Sequence, residues 1–129
     1  MLKILAFLTK RQDLETRAFL EHYETKHIPL IRSLAPTPLV YKRSYLVRGD
    51  ALNLDDGTID FDVVTELAFA DRDAYLAWAA AVFKPGNGEQ VVADEERFLD
   101  RSRTRAFVVD EFVIAEQAAQ RVATPEPTR

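Results

Sequence analysis

The stretch that decides the fold is Leu2-Lys3-Ile4-Leu5-Ala6-Phe7-Leu8, closed by the polar Thr9-Lys10-Arg11. Its apolar side chains stand at both parities, the pattern of a strand covered on two faces. Periodicity alone does not separate such a run from a buried helical segment, but its shortness and polar stop favour the strand. A second run of the same kind, predicted as a strand over 105–115, carries Phe107, Val108, Val109, Phe112, Val113 and Ile114.

Between these runs the period changes. A helix is predicted over 14–26, with Phe19, Leu20 and Tyr23 as its apolar stripe and Asp13 as the residue best suited to cap it. Pro29, which has no N–H to donate, ends or kinks the helix near His27-Ile28. Leu30, Ile31 and Leu34 continue for a further turn or two, until Pro36 and Pro38. Residues 39–48 alternate as a strand, with Tyr41, Arg43 and Tyr45 on one face and Val40, Lys42 and Ser44 on the other. The polar stretch 49–60 holds the turn signal Asp55-Asp56-Gly57. A third strand over 61–69 follows, then a helix over 72–83 capped by Asp71, with Tyr75, Leu76, Trp78, Ala79 and Val82 towards the core. Lys84-Pro85-Gly86-Asn87-Gly88 breaks it, and a shorter helix over 90–99 leads into the last strand. The domain spans 1–116; the polar, proline-containing stretch 117–129 reads as a C-terminal tail.

The order β-α-β-β-α-(α)-β is that of an α+β, ferredoxin-like βαββαβ fold, a four-stranded antiparallel sheet with its helices on one face. Two main helices cover only one face, yet the first and last strands are apolar on both. Each Leu, Phe or Val left in water costs about 1.5–3 kcal/mol. The simplest cover is a second copy placed face to face about a twofold axis, a homodimer that closes a shared chamber.

Composition narrows the function. The 129 residues carry 17 basic and 21 acidic side chains, a net charge of −4, which offers no electrostatic footprint for nucleic acid or an anionic membrane. The absence of cysteine removes disulfides, thiolate zinc sites and cysteine nucleophiles, and fits a reducing cytoplasm. No apolar run approaches the roughly 18–20 residues of a membrane span. The apolar 2–8 stretch is too short for a secretory signal and lacks a small-residue cleavage site.

The chain has two histidines. His22 lies between Glu21 and Tyr23 and reads as solvated. His27 sits at the helix break, with Tyr23 one turn earlier on the same face, where an imidazole can point into a cavity. On the third strand Glu66 shares a face with Val64 and Ala68, directed towards the space shared with a second subunit. A carboxylate there has a raised pKa or a partner, and Arg43 and Tyr41 are the candidates. An interface ion pair between Glu66 and Arg43 without chemistry is the alternative.

Other signals are bland. Gly86-Asn87-Gly88 is not a phosphate loop, because a helix precedes it and no Gly-Lys-Ser/Thr follows. The run Asp94-Glu95-Glu96-Arg97 with Asp100-Arg101-Ser102-Arg103 reads as a self-compensating solvated surface. No metal site is expected, since two histidines five apart do not face one another on a helix. Trp78 and Phe83 read as core.

The stretch Phe19-x-x-x-Tyr23-x-x-x-His27-x-Pro29-Leu30 resembles the first half of EthD-type proteins of the dimeric α/β-barrel superfamily. Val64-Thr65-Glu66-Leu67-Ala68-Phe69 before a capped helix, and Ala93 to Asp100 before Arg105 to Glu111, extend the resemblance over about residues 1–115. The resemblance implies a dimeric barrel. It implies relatives that dehydrate or decarboxylate aromatic polyketide precursors, others from ether-degradation gene clusters, and neighbouring cofactor-free monooxygenases and lactone isomerases. The family's histidine matches His27, and Glu66 matches a recurrent position. Ala68 stands where many relatives carry an aromatic residue, which reshapes the chamber.

The expected function is then a cofactor-independent lyase, of dehydratase or decarboxylase type, or an isomerase. Its substrate would be a small hydrophobic cyclic or aromatic carbonyl compound. His27 would be the general base, with Tyr41 or a neutral Glu66 hydrogen-bonding the enolate oxygen. Tyr23, Tyr41, Arg43, Tyr45 and Ala68 would line the chamber. The alternatives are a non-catalytic dimeric module that binds a hydrophobic metabolite, a cofactor-free monooxygenase in which oxygen meets the same enolate, and haem binding through His27.

Overall fold

The structure, a computed structural model, describes residues 1–116; the tail read from 117–129 lies outside the described residues. Strand β1 is Leu2–Leu8, β2 Val40–Tyr45, β3 Val63–Phe69 and β4 Arg105–Val109. They form one antiparallel sheet in the order β2-β3-β1-β4, so the first strand lies in the interior and β2 and β4 are its edges. Its interior place gives β1 a hydrogen-bonded partner along each edge, while its Leu8 side chain packs under the helices.

The predicted break at His27-Ile28 is a change of helical pitch. Helix α1, Thr16–His22, passes through a single π-helical turn, Tyr23–His27, into α2, Ile28–Leu34. The Ile28 N–H donates to the Tyr23 carbonyl five residues back. Pro29 supplies the cause, since it cannot donate and its ring crowds the preceding turn, so the chain inserts a residue and keeps going. Asp13 does not cap this helix. Glu15 holds the N-cap position with no side-chain bond, while Asp13 pairs with Arg11 at 2.6 Å. Asp71 does cap α3, Arg72–Phe83, accepting from the Ala74 N–H at 2.8 Å. Helix α4, Asn87–Phe98, begins directly after Gly86 (φ 93°), three residues earlier than the apolar pattern suggests.

Among the described residues, helices α1 to α4 lie on one face of the sheet. Leu8, Val63 and Thr65 face them and are buried, and Phe69 packs on Tyr75 and Trp78 of α3, with ring centroids 5.4 Å away in both cases. One core cluster joins Phe19, Tyr23, Ile28 and Phe98 to Leu8 and Val63; a second joins Ile31 and Ala35 to Val82 and Val91. The last strand is shorter than predicted. Residue pairing with β1 stops at Lys3 opposite Val109, one residue short of the start of β1 at Leu2. Phe107 and Val108 are 57% and 54% exposed, so the single chain leaves part of its apolar sheet uncovered.

Candidate functional site

The π turn has a chemical consequence. In a regular α-helix, side chains five apart diverge. With the extra residue, His22 and His27 converge on one carboxylate from α4. His22 Nε2 lies 2.9 Å from Asp94 Oδ1, and His27 Nδ1 lies 2.8 Å from Asp94 Oδ2. Asp94 is 8% exposed and His27 6%. The Phe98 ring stacks against His22 at 4.8 Å, and lies 5.0 Å from the His27 ring; Tyr23 meets His27 edge-on at 5.7 Å.

A carboxylate only accepts, so the ring nitrogen facing it must carry a proton. Asp94 therefore holds His27 with the proton on Nδ1, and a neutral ring then keeps its lone pair on Nε2. This is how a buried acid orients an imidazole for general-base work.

Sequence reasoning missed both partners. The acidic run Asp94-Glu95-Glu96 reads as a solvated surface, and His22 as decoration. One signal was present: Val91, Asp94 and Phe98 are spaced i, i+3, i+7, which places Asp94 on the buried stripe of α4.

Four of the expected site residues gather beside this cluster. Tyr41, Arg43 and Tyr45 project from β2 towards the helices. Arg43 is bidentate to Glu24 (Nε–Oε2 2.9 Å, Nη2–Oε1 2.5 Å), and the Tyr45 hydroxyl donates to Glu24 at 2.5 Å. Arg43 also donates to the Tyr41 carbonyl at 2.8 Å, with its guanidinium 5.5 Å from the Tyr41 ring centroid. The Arg43 hydrogen bond holds the Glu24 carboxyl below the usual carboxylate range. Burial pushes the Tyr41 and Tyr45 phenols up, helped in Tyr45 by Glu24, so both remain protonated donors. The fourth, Tyr23, is 2% exposed, its phenol raised by burial, and it hydrogen-bonds Thr65.

Glu66 and Ala68 are elsewhere. The register pairs Lys42 with Glu66 and Arg43 with Thr65, so alternation puts Glu66 on the face away from the helices. Its partners are Lys3 (2.9 Å) and Lys42 (3.6 Å), in place of the expected Arg43 and Tyr41. The Lys3 hydrogen bond holds its carboxyl low, which overturns the expectation of a neutral acid. Within one chain the sheet separates Glu66 and Ala68 from His27, and the single chamber read from the sequence becomes two separate faces.

Neither His27 nor Tyr23 lines the clefts beside Arg11, Phe83, Trp78 or Lys26. The one beside Trp78, an apolar cleft of ≈ 510 Å³, lies between residues 36–39, the end of β3 and α3, with Phe69 and Trp78 in its wall. Among the described residues no cluster of three or more His, Asp or Glu side chains could hold a metal, and no helix is long and apolar enough to cross a membrane.

A four-stranded antiparallel sheet ordered β2-β3-β1-β4 with helices on one face defines the ferredoxin-like α+β class. Residues 11–102 match the family model of the EthD domain, and the chain belongs to that family. It is similar to an ethyl tert-butyl ether d (ethd) family protein from Bacillus halodurans, at 21% identity, TM-score 0.58, over 87% of this chain and 100% of the other. A NIPSNAP domain protein from Burkholderia xenovorans is similar at 14% identity, TM-score 0.61, over 91% and 100%. HapK from Hahella chejuensis is similar at 15% identity, TM-score 0.56, over 92% and 99%. At these identities the structural likenesses concern the fold alone. No curated protein matches.

Proposed function

We propose that this protein is a cofactor-independent lyase or isomerase acting on a hydrophobic cyclic or aromatic carbonyl compound, as a homodimer whose sheets close face to face. The supporting observation is the 2.8 Å contact between His27 Nδ1 and buried Asp94. It leaves Nε2 as the base that takes the proton α to a carbonyl, and general-base help of this kind is worth about 10²–10⁴-fold. The protonated Tyr41 phenol, on the helix-facing side of β2, donates to the enolate oxygen. In a dehydration, the proton held on His27 then leaves with the β-hydroxide as water, and the imidazole is neutral again.

A second reading has its own support. The His27 ring is packed between Tyr23 and Phe98, while the apolar cleft beside Trp78 lies outside the histidine cluster. On that reading the protein is a binding module for a hydrophobic metabolite, and Asp94 ties α4 to the π turn.

Proton exchange separates the two without knowledge of the natural substrate. Cyclic ketones such as 1-tetralone are incubated in D₂O with the protein, and loss of the α-proton resonance is followed by NMR. The enzymatic reading expects accelerated exchange that His27→Gln abolishes while the fold is retained. Exchange at the same rate with wild type and His27→Gln removes His27 as the base.

A further inference from the structure

We propose that the cleft beside Trp78 binds an uncharged ring compound carrying an acceptor oxygen, with the Trp78 indole N–H as its anchor. The inference rests on the binding reading given above and deepens it by naming the place and the ligand chemistry. Whether His27 acts as a base does not enter it.

Trp78 is the one tryptophan of the chain. An indole nitrogen only donates, and a buried one ordinarily has an acceptor. The Trp78 Nε1 is buried and has none among the described residues. The composition of the wall gives the reason. Proline, leucine, phenylalanine and alanine surround the ring, and Thr37 carries the one polar side chain of the lining. A donor is therefore left unsatisfied in an apolar setting, and an occupant that brings an oxygen to it removes the deficit.

The same wall sets the rest of the ligand. No charged side chain lines the cleft, so a carboxylate or ammonium would lose its hydration there without a counterion. The indole ring offers a flat apolar surface, which suits a ring compound. That ring is braced from behind, with its centroid 5.4 Å from Phe69 and 6.3 Å from Tyr75. Across the cleft, Pro36 and Pro38 hold their own φ angles fixed. Walls set in advance lose little freedom when an occupant arrives. The volume of ≈ 510 Å³ is that of a small-molecule site, and Leu39, 65% exposed in the lining, is apolar surface that an occupant would cover.

The test uses the full chain labelled with ¹⁵N. A single tryptophan gives a single indole N–H resonance, so the anchor reports on its own hydrogen bond. 1-Tetralone is titrated against it and compared with tetralin, which has the same rings without the oxygen. The expected result is a saturable downfield shift with the ketone and little with tetralin. Trp78→Phe keeps an aromatic ring and loses the donor. By saturation-transfer NMR it is expected to bind the ketone about tenfold more weakly and tetralin about as before. Ala77→Phe, at an exposed position of the wall, fills the cleft and is expected to abolish the shift. Saturation transfer to the ketone without an indole shift, or a shift that survives Ala77→Phe, overturns the cleft and leaves the binding reading standing. Neither signal up to the solubility of the ketone overturns both. An equal shift with tetralin overturns the N–H as anchor. A resonance that moves with protein concentration alone means that a second copy fills the cleft, and overturns the small-molecule site.

Discussion

His27 and Asp94, 67 residues apart in sequence, meet at 2.8 Å in a buried seam between the π turn and α4. The same carboxylate holds His22, so its two oxygens serve two rings. Asp94→Ala leaves the His27 N–H buried without an acceptor, which is expected to cost about 1–3 kcal/mol in urea unfolding. His22→Gln is expected to cost less, because the His22 side chain is 21% exposed and water can replace the contact. Asp94→Ala within about 0.5 kcal/mol of wild type, the range of an ordinary surface substitution, would show that the seam is not a structural tie.

Phe98 is the floor on which both imidazoles rest. It is fully buried, stacks on His22 and lies 5.8 Å from Phe19 and 5.4 Å from Tyr23. Phe98→Ala is expected to destabilise by about 3–5 kcal/mol through the cavity it leaves. Phe98→Leu, which retains most of the volume, should recover more than half of that loss by the same unfolding measurement. Equal stability of Phe98→Ala and wild type would mean that the ring does not pack as described.

The Glu24–Arg43–Tyr45 network predicts a pH dependence. Arg43 lowers the Glu24 carboxyl in the fold, so the folded state binds that proton more weakly than the unfolded chain does. Its stabilisation is therefore fully present above the ordinary carboxyl value of 4.5 and is lost as pH falls through the lower folded value. Glu24→Gln is expected to reduce the melting temperature at pH 7, with the gap to wild type closing below about pH 4. A gap that stays constant over that range would separate Glu24 from the acid transition.

The fold was legible because its evidence is local. The doubly apolar run Leu2–Leu8 and the alternation of Tyr41, Arg43 and Tyr45 name strands, and Asp71 names a helix start. The site was less so, because it depends on phase and register, which no single segment contains. One inserted residue at the π turn brings His22 and His27 together, and one step of register sends Arg43 under the helices and Lys42 to Glu66. The end of β4 escaped for a related reason: residues 110–115 have strand chemistry, but the ladder ends at Lys3 opposite Val109, near the start of β1, so most of that stretch has no strand residue beside it.

Tyr23 and Thr65 test whether the helix layer is seated on the sheet as described. Their hydroxyls hydrogen-bond across the interface between the π turn and β3, with residue exposures of 2% and 4%. Tyr23→Phe strands the Thr65 hydroxyl in an apolar setting, and Thr65→Val strands the phenol; each should cost about 1–3 kcal/mol. The double variant replaces both partners by groups of similar shape and leaves no unpaired polar atom. It is expected to be nearly as stable as wild type, so the double-mutant cycle should show a coupling of about 1 kcal/mol or more. Strictly additive losses would mean that the two hydroxyls do not meet, and the placement of the π turn over β3, on which the position of His27 depends, would have to be redrawn.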